Sequence, residues 1–352
     1  MKTKFFLSSA LLLILTMLSA AVREVSFYCP APAKIPPVID GKLDDPCWRD
    51  AAEYTASYEY FKSNPGPGKL RNSFRIVYDR RGLYLAIIHY EPNVKAIRKS
   101  ITNRDNPDLW TDDCAEIYID PQGQGIGFCK FTVNALGTMA DELRLDGNVT
   151  RHDWDAVGAV VRTRIESDRW IIEGFFPWED LGVRAKPGDI WMFCHVRYAW
   201  PNGKFVGTSS SPSGNYAATG NFGYLCFTDG SGVETDRIIK LLMEKAAPPW
   251  CIRIGDDLIS NIGDGLRKVP LRDAVRGQKD QLSRCFAELK NVPPKYRKEK
   301  SILLEEYRKT AAEKESSMQQ YRSLDSLLER IRRFQWKMKL ENEYNTVTEK
   351  ER

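Results

Sequence analysis

The chain has 352 residues and a formal net charge of +5 at pH 7, so it is long enough for one large domain with an appendage. The positive charge belongs to residues 234–352, where 26 Lys and Arg face 20 Asp and Glu, whereas residues 1–233 carry a net charge of −1. So small a basic excess argues against a nucleic-acid partner. The three histidines lack the spacing of a zinc enzyme.

The first 21 residues have the pattern of a secretory signal. Lys2 and Lys4 precede an apolar run at 5–18, and small residues follow it. The apolar run is about 14 residues long, which is short of the roughly 20 needed to span a bilayer. We therefore expect cleavage near Val22, a secreted or periplasmic protein, and no stable membrane insertion.

A proline-rich stretch precedes the sequence IDGKLDDPCW at 39–48. We predict a short helical turn that begins at Pro46 and is capped by Asp44 or Asp45. Trp48 follows at once, and its large apolar ring predicts that this turn is anchored in a core.

Strand-like runs then follow one another closely, with turn residues between them. No helical pattern alternates with these runs, which favours an antiparallel β-sandwich over a parallel βαβ fold. The predicted strands are 54–61, 73–79, 83–91, 113–120, 128–134, 139–145, 156–165, 170–176, 189–200, 204–208 and 222–227.

The run at 113–120 alternates in the manner of a half-buried strand. Ala115, Ile117 and Ile119 fall on one side, while Glu116 and Tyr118 fall on the other. With the aliphatic side chains in a core, the opposite face presents a carboxylate beside an aromatic ring. This pairing of groups suits a sugar, which offers both hydroxyl groups and an apolar ring face.

The eight cysteines show no CxxC spacing. Cys29 and Cys47 flank the proline-rich stretch, and pairing between them is left open. Four others lie in apolar runs and are predicted to be buried free thiols, namely Cys114, Cys129, Cys194 and Cys226.

Helical spacing replaces strand alternation from Glu234 onward. We predict helices at 234–247, at 271–292 and from 293 to about 344, with the last two forming an α-helical hairpin of coiled-coil type. The predicted organisation is thus a signal peptide at 1–21, a β-sandwich at 22–230 and an α-helical region at 231–352. The helices are candidates for packing on the sandwich or for self-association.

Several motifs occur together in a fixed order: IDGKLDDPCW at 39–48, FRIVYD at 74–79, WTDDCAEIYIDP at 110–121, FTVNALG at 131–137, RWIIEGFFPWEDLG at 169–182 and FGYLCF at 222–227. Over about residues 25–230 this set resembles the family 9 carbohydrate-binding modules and their broader relatives. The resemblance implies a non-catalytic, jelly-roll-like β-sandwich found in secreted proteins of polysaccharide breakdown. It also implies a sugar held between two aromatic rings, and often a structural calcium ion.

By position, the resemblance assigns the first stacking ring to Trp110 and the acceptor of sugar hydroxyl groups to Glu116. The second stacking tryptophan of relatives, which follows the position of Phe205, is absent here. Trp200 and Tyr216 are the nearest substitutes.

Further polar contacts to a sugar are predicted for Asn134, Arg197 and Lys130. Two structural alternatives stay open at this stage. Trp110 would then cover the end of the sandwich, and Glu116 would be a solvated strand residue or a partner of Arg197. Four tryptophans in apolar patterns are predicted to be core residues, namely Trp48, Trp170, Trp178 and Trp191.

The aspartates at 40, 44 and 45 have oxygen ligands suited to calcium, but turn and cap roles explain them equally well. No other cofactor is predicted.

Three alternatives to an oligo- or polysaccharide-binding protein remain. A glycan hydrolase would pair Glu116 with Asp112, Asp113 or Glu173. A b-type haem module would use Met139 with His195 or His89 as axial ligands. A structural module would keep the sandwich without a ligand. We expect a non-enzyme, because nothing in the sequence places two such carboxylates together.

Overall fold

The structure is a computed structural model that describes residues 23–55, 57–61, 66–146, 149–212, 219–230, 235–246, 248–313 and 316–350. The signal sequence predicted at 1–21 lies outside these residues, as does Tyr216. The contacts divide the chain into one unit at Val25–Glu244 and a second formed by Lys245–Arg352 with the preceding Arg23 and Glu24. Within the described ranges, every helix is too short or too polar to cross a bilayer.

The described strands are numbered in chain order: β1 Arg23–Glu24, β2 Phe27–Tyr28, β3 Ala31–Pro32, β4 Tyr58–Glu59, β5 Asn72–Tyr78, β6 Gly82–Tyr90, β7 Cys114–Asp120, β8 Phe128–Asn134, β9 Met139–Asp146, β10 Val149–Arg151, β11 Val160–Ile165, β12 Arg169–Pro177, β13 Ile190–Ala199, β14 Val206–Ser209, β15 Gly223–Cys226, β16 Trp250–Ile254, β17 Asp257–Asn261 and β18 Leu266–Pro270. The described α-helices are α1 Pro46–Asp50, α2 Trp178–Leu181, α3 Thr235–Lys245, α4 Leu271–Glu288, α5 Arg297–Ala311 and α6 Met318–Lys350. Short 3-10 helices lie at Val94–Ala96, Leu109–Thr111, Pro201–Gly203, Thr219–Asn221 and Pro294–Tyr296.

The first unit is a sandwich of two sheets, which confirms the predicted mainly β fold. One sheet has the order β10-β9-β8-β7-β13-β14-β4, with β15 paired to β13 and β2 paired to β15. The other has the order β11-β12-β6-β5-β3. Neighbours pair antiparallel except for the short strands β2 and β3. Aliphatic and aromatic side chains from both sheets form one continuous core between them.

The alternation predicted for β7 is observed, but its outer face is also covered. Ala115, Ile117 and Ile119 belong to the core between the sheets. Glu116 and Tyr118 point away from that core, yet both are buried. Aromatic rings from elsewhere in the unit cover Tyr118. Strand alternation therefore predicted which side chains of β7 point away from the core, but it did not predict that other side chains cover them.

Helix α1 lies on the outer face of the five-stranded sheet, where Trp48 is buried as predicted. Its indole Nε1 donates a 2.9 Å hydrogen bond to Oε1 of Glu173 on β12. Asp45 occupies the N-cap position of α1, but its carboxylate makes no capping bond and accepts instead from the Val38 amide. The predicted capping bond from Asp45 is therefore wrong.

The turn between β5 and β6 depends on close backbone packing. Asp79 Oδ1 accepts hydrogen bonds from the amides of Arg81 and Gly82 at 2.7 and 3.2 Å. A Cβ at Gly82 would lie 2.4 Å from the carbonyl oxygen of Phe176 on β12, so only glycine fits there. This turn sets the register of β6 against β12.

The tryptophan and cysteine predictions agree with the structure. Trp170, Trp178 and Trp191 are buried together with Trp48. All eight cysteines are free thiols, so the disulfide left open between Cys29 and Cys47 is not formed. The four predicted core thiols are all buried: Cys114, Cys129, Cys194 and Cys226.

The second unit combines a small sheet with helices, where only helices were predicted. Strands β16, β17 and β18 form an antiparallel meander, and β1 adds to β16 in parallel. Helices α4 and α5 both pack against α6 around a shared apolar core. The strands escaped prediction because they are five residues each and β18, at the edge of the sheet, is exposed throughout.

The long helix predicted from 293 to about 344 is two helices in the structure. Gln320 in α6 is fully buried, and its Nε2 donates to the carbonyl oxygens of Thr310 and Glu313 at 2.8 and 3.3 Å. These bonds satisfy carbonyl groups left open where α5 ends. The apolar spacing had predicted one continuous helix. The chain instead breaks into two helices, and a buried polar side chain of the second bonds to the end of the first.

Candidate functional site

The outer face of the nine-stranded sheet carries a row of charged side chains across β7, β8 and β9. The strand register sets Tyr118 opposite Lys130 and Lys130 opposite Glu142. Lys130 Nζ lies 2.9 Å from Glu116 Oε1 and 3.8 Å from Glu142 Oε1. The Tyr118 hydroxyl donates a 2.6 Å hydrogen bond to Glu116 Oε2. Glu116 is therefore held on two sides by neighbours on its own sheet.

The electrostatics of this row keep Lys130 charged. Burial alone lowers the pKa of the Lys130 ammonium group, but the carboxylates of Glu116 and Glu142 raise that pKa above its ordinary value. A charged lysine beside a carboxylate offers both a strong donor and a strong acceptor. Sugar hydroxyl groups can use both.

A cavity of about 890 Å³ opens over this row. Glu116, Lys130 and Glu142 contribute to its floor. Trp110, in the 3-10 helix Leu109–Thr111, lines one side and is 45% exposed. Three further aromatic residues line the cavity: Phe61, Tyr198 and Phe205. The cavity thus combines charged groups below with apolar rings at the sides, as small-ligand sites commonly do.

Trp110 and Trp200 do not form a slot for a sugar ring. Their ring centroids are 6.2 Å apart and their planes are tilted by 43°. A pyranose between two parallel rings needs a separation of about 7 Å or more, since each van der Waals contact takes 3.5–4.0 Å. Trp200 instead packs behind Trp110, with Phe205 at 5.3 Å and the Arg98 guanidinium group 4.6 Å from its ring centroid.

The loops around this site are tied to the start of β7 by two aspartates. The Asp112 carboxylate accepts from the amides of Ser100 and Ile101 at 2.9 Å. Asp113 accepts from the amide of Arg98 at 2.7 Å and from that of Trp200 at 3.4 Å. Burial raises the pKa of Asp113, whereas for Asp112 the hydrogen bonds overcome burial and lower its pKa. These aspartates position the loops that carry the two tryptophans.

Asn134 lies at the end of β8 and is fully buried. Its Nδ2 donates to the Ile101 carbonyl oxygen at 2.8 Å and to Asp112 Oδ2 at 3.0 Å. Its Oδ1 accepts from the amides of Leu136 and Thr138, both at 3.0 Å. All of its hydrogen-bonding capacity is used within the protein. The structure thus places this predicted site residue in the turn after β8 and outside the cavity.

Arg197 lies inside the sandwich, because on β13 it sits opposite Ala115, a core residue of β7. Its Nη2 donates to Glu91 Oε2 at 3.0 Å, and its Nη1 donates to the Tyr90 carbonyl oxygen at 2.9 Å. Burial lowers the pKa of Arg197 to about 10 despite the Glu91 carboxylate beside it. Its ionic partner is Glu91, and not Glu116 as the sequence left open.

Of the five predicted site residues, the cavity therefore brings together Trp110 and Glu116, while Trp200 supports Trp110 from behind. Lys130, a further candidate, also lines the cavity. The sequence analysis missed Phe61 and Phe205, which come from segments far apart in the chain. Only the strand order β13-β14-β4 brings those segments to the same face.

Residues 39–190 match the family model described as "Carbohydrate family 9 binding domain-like". The sandwich resembles that family. The resemblance predicted from the motifs is thus confirmed over this segment. No curated protein matches the sequence.

Three solved structures are similar to part of this chain. A family 9 carbohydrate-binding module from Caldicellulosiruptor kristjanssonii in complex with cellotriose is 18% identical, with 59% of this chain and 98% of that chain covered and a TM-score of 0.43. The module from that organism in complex with glucose is 18% identical, with 60% and 100% covered and a TM-score of 0.45. A putative carbohydrate-binding protein from Bacteroides uniformis is 17% identical, with 58% and 99% covered and a TM-score of 0.46.

The carboxylates considered for a hydrolase do not meet in the family 9-like sandwich. Glu173 lies on the outer face of the five-stranded sheet, where it accepts from the Trp48 indole and from the Gly41 amide. Glu116 lies on the outer face of the other sheet, and Asp112 and Asp113 are used to hold loops. A pair of facing carboxylates, which glycoside hydrolysis requires, is not formed by these residues.

The histidines considered as haem ligands contact each other instead. His89 and His195 are fully buried, and their Nε2 atoms lie 2.9 Å apart. Burial lowers the pKa of His195 to about 3 and that of His89 well below its ordinary value, so both are neutral at pH 7. Since each Nε2 is taken up by the other ring, neither is open to iron, and the geometry argues against the haem alternative.

The aspartates considered for calcium serve the backbone. Asp40 accepts from the amide and the ammonium group of Lys42, and Asp45 from the amide of Val38. Among the residues that the structure describes, no three His, Cys, Asp or Glu side chains converge in the manner of a metal site. Asp40 and Asp45 are thus already engaged by other groups of the protein, and a structural calcium ion stays a prediction.

Proposed function

We propose that the sandwich unit is a carbohydrate-binding module that holds a neutral sugar ring in the cavity at Trp110. The observation that carries this proposal is a half-exposed indole beside a charged Glu116–Lys130 pair in one cavity. The family 9-like match over residues 39–190 supports it.

The chemistry of the cavity suits a one-sided platform. A pyranose ring lays its apolar C–H face on Trp110, which removes apolar surface from water on both partners. Its hydroxyl groups reach Glu116 and Lys130, whose charged groups make hydrogen bonds about twice as strong as neutral ones. Because Trp200 packs against Trp110 and leaves no slot, the sugar stacks on one indole, while Phe61 and Phe205 also line the cavity.

Calorimetry of the full chain with soluble gluco-, xylo- and manno-oligosaccharides, with and without calcium, tests this proposal. Trp110→Ala should weaken binding about tenfold, since an aromatic contact contributes on the order of 1 kcal/mol beyond area burial and 1.4 kcal/mol is a factor of ten. Its stability should change by less than about 0.5 kcal/mol, because an exposed ring has little packing to lose. Trp336→Ala, which removes an indole from α6, is the matched control and should leave affinity unchanged.

One result would overturn the proposal. If the parent protein bound none of these sugars and Trp110→Ala cost several kcal/mol of stability, Trp110 would be a cover for the end of the sandwich. The structural alternative would then hold.

We further propose that the protein is exported and serves polysaccharide breakdown without catalysing it. The signal pattern at 1–21 and the separation of Glu116 from Glu173 support this reading. N-terminal sequencing should begin near Val22. Product analysis after incubation with the bound polysaccharide should show no cleavage.

We also propose that the second unit self-associates through its helices, where the apolar side chains of Ile302 and Leu340 are exposed. Sedimentation of the full chain at increasing concentration tests this. A monomer at all concentrations would contradict it.

A further inference from the structure

A second groove, of about 910 Å³, lies where the turn between β5 and β6 meets the loop that follows α2. We name it the basic groove. Five of its lining residues are cationic: Lys34, Arg80, Arg81, Arg184 and Lys186. Asp79 is the single carboxylate among its described lining residues.

The carboxylate in this groove is already used. Asp79 accepts from the Arg81 Nε at 3.3 Å as well as from two backbone amides of the turn. Arg81 also donates a 2.8 Å hydrogen bond to the Tyr84 hydroxyl. The other four cations are exposed and make no ion pair with any residue that the structure describes. The Asp189 carboxylate lies beside one end of the groove, where it accepts from the Lys186 amide at 2.8 Å. The groove therefore keeps a net positive charge, carried mainly by Lys34, Arg80 and Arg184.

This concentration of charge is local and not a property of the whole unit. Residues 1–233 carry a net charge of −1, and the basic excess of the sequence lies beyond them. A cluster of four unpaired cations in a concave surface attracts anions from solution and raises their local concentration. Such a surface favours an anion with several charges.

The remaining lining favours a chain of sugar rings. Pro32, Pro36 and Pro187 supply rigid apolar ring surfaces between the charges. Tyr78 is the single aromatic residue among the described lining and is buried, so no exposed ring offers a stacking platform for a nucleobase. An acidic polysaccharide carries carboxylates at intervals along a chain of sugar rings, and each ring has an apolar face. Such a chain matches a groove in which cations lie beside proline rings.

The basic groove is distant from the Trp110 cavity. Arg197, opposite Ala115 at the start of β7, donates to the carbonyl oxygen of Tyr90, so the Tyr90 end of β6 lies near the Trp110 loop. The turn before Gly82 lies at the other end of β6, about 26 Å away at roughly 3.3 Å per residue. One glycan ring cannot occupy both places.

We propose that the basic groove binds an acidic polysaccharide through its carboxylate groups, as a second glycan site of the sandwich unit. The choice of a glycan over another polyanion rests on the proposed function, while the preference for an anion rests on the groove alone. Arg80 and Arg184 are the principal contacts, because a guanidinium group binds a carboxylate through two parallel hydrogen bonds.

Calorimetry of the full chain with oligogalacturonate at low and at physiological salt tests this inference. The double variant Arg80→Glu with Arg184→Glu should bind at least about tenfold more weakly and lose most of its salt dependence. The matched control is Lys95→Glu with Lys99→Glu, which reverses two exposed cations of the same unit with no ion pair among the described residues, and should keep the parent affinity. Neutral oligosaccharides should bind all three proteins equally.

The outcomes separate this inference from the proposed function. If both double variants bind oligogalacturonate like the parent, or if the parent does not bind it, the inference is overturned even when neutral sugars bind. If an acidic peptide, a DNA oligonucleotide or a phosphatidylserine vesicle binds more tightly than oligogalacturonate and loses affinity in the groove variant alone, the partner is not a glycan. If neutral sugars fail to bind while oligogalacturonate binds in a groove-dependent manner, the Trp110 cavity proposal fails and the groove stands.

Discussion

The Trp110 cavity and the interior around Arg197 hold similar residue types but differ in what surrounds them. In the cavity, the Glu116–Lys130 pair and the Trp110 indole line a surface that is open to solvent. In the interior, a charged pair of Arg197 with Glu91 is enclosed by both sheets and bonded to backbone carbonyl groups. A polar side chain on a strand therefore indicates binding only where part of its hydrogen-bonding capacity remains open.

The energetic consequences of the two arrangements differ as well. An enclosed pair that loses one member leaves an uncompensated charge in a low dielectric, which is strongly destabilising. A pair at the floor of a cavity can also bond to water or to a ligand. Removing one of its members should therefore reduce both stability and ligand affinity. Mutations in the two regions should therefore separate cleanly.

The largest effect is expected for Arg197→Met. Glu91 would stay buried without its cation, and the unfolding free energy should fall by about 3–5 kcal/mol. Urea denaturation measures this, with Lys99→Ala as an exposed control that should change stability by less than about 0.5 kcal/mol. A loss as small as the control would mean that Arg197 is open to solvent or ligand after all.

Glu116→Gln is expected to act on both properties, because Glu116 is buried and yet lines the cavity. Lys130 would lose its nearest carboxylate, which costs about 1.5–3 kcal/mol for a hydrogen bond to a charged group. Sugar affinity should fall about tenfold in the same variant. Glu91→Gln is the comparison and should lose stability alone. Loss of affinity in Glu91→Gln to the same extent would erase the distinction between the regions.

A pH dependence is expected chiefly from two buried histidines of the interior. His89 and His195 are neutral in the fold because burial lowers their pKa values, that of His195 to about 3. The unfolded chain takes up protons below a pKa of about 6.5, so stability present at higher pH is lost as the pH falls through that value. Two such groups should remove about 1–2 kcal/mol between pH 7.5 and pH 6.

Urea midpoints at these two pH values measure that loss. The loss should be halved in His89→Gln, whatever the absolute stability of the variant. It should be unchanged in His152→Gln, since His152 is exposed at the cavity edge. Asp141, whose pKa burial raises to about 6, gains a proton in the fold over this interval and opposes the loss in part. Equal stability at pH 7.5 and pH 6 would contradict the prediction.

The smallest effect is expected for Trp200→Leu. Trp200 supports Trp110 at 6.2 Å but does not line the cavity. Sugar affinity should therefore fall only about two- to threefold, which is roughly 0.5 kcal/mol, by calorimetry. A loss as large as that of Trp110→Ala would show that the sugar contacts both rings.

Much of the fold followed from local pattern. The strands at 128–134 and 139–145 agree with β8 and β9 to within one residue, because partial alternation and flanking turn residues mark both ends. The short strands β16, β17 and β18 were not predicted, since five-residue runs with exposed positions leave no clear period.

The candidate site was predicted only in part, because local pattern says little about contacts between distant segments. Trp110 and Glu116 stand in a motif whose spacing the resemblance could place, and Lys130 was proposed with Asn134 and Arg197 as a polar contact whose direction the sequence did not give. Asn134 and Arg197 could not be placed, because alternation says which side chains share a face but not which faces another layer covers.

The mainly β character, the buried thiols and the proximity of an exposed indole to a carboxylate could all be predicted, since these depend on residue type and on spacing within one segment. Three contacts could not be predicted: the pairing of Glu116 with Lys130, the pairing of Arg197 with Glu91, and the packing of Trp200 against Trp110. Each of these depends on which strands become neighbours and which loops meet at their ends. That is set by packing between segments distant in the chain, where no local period carries the information.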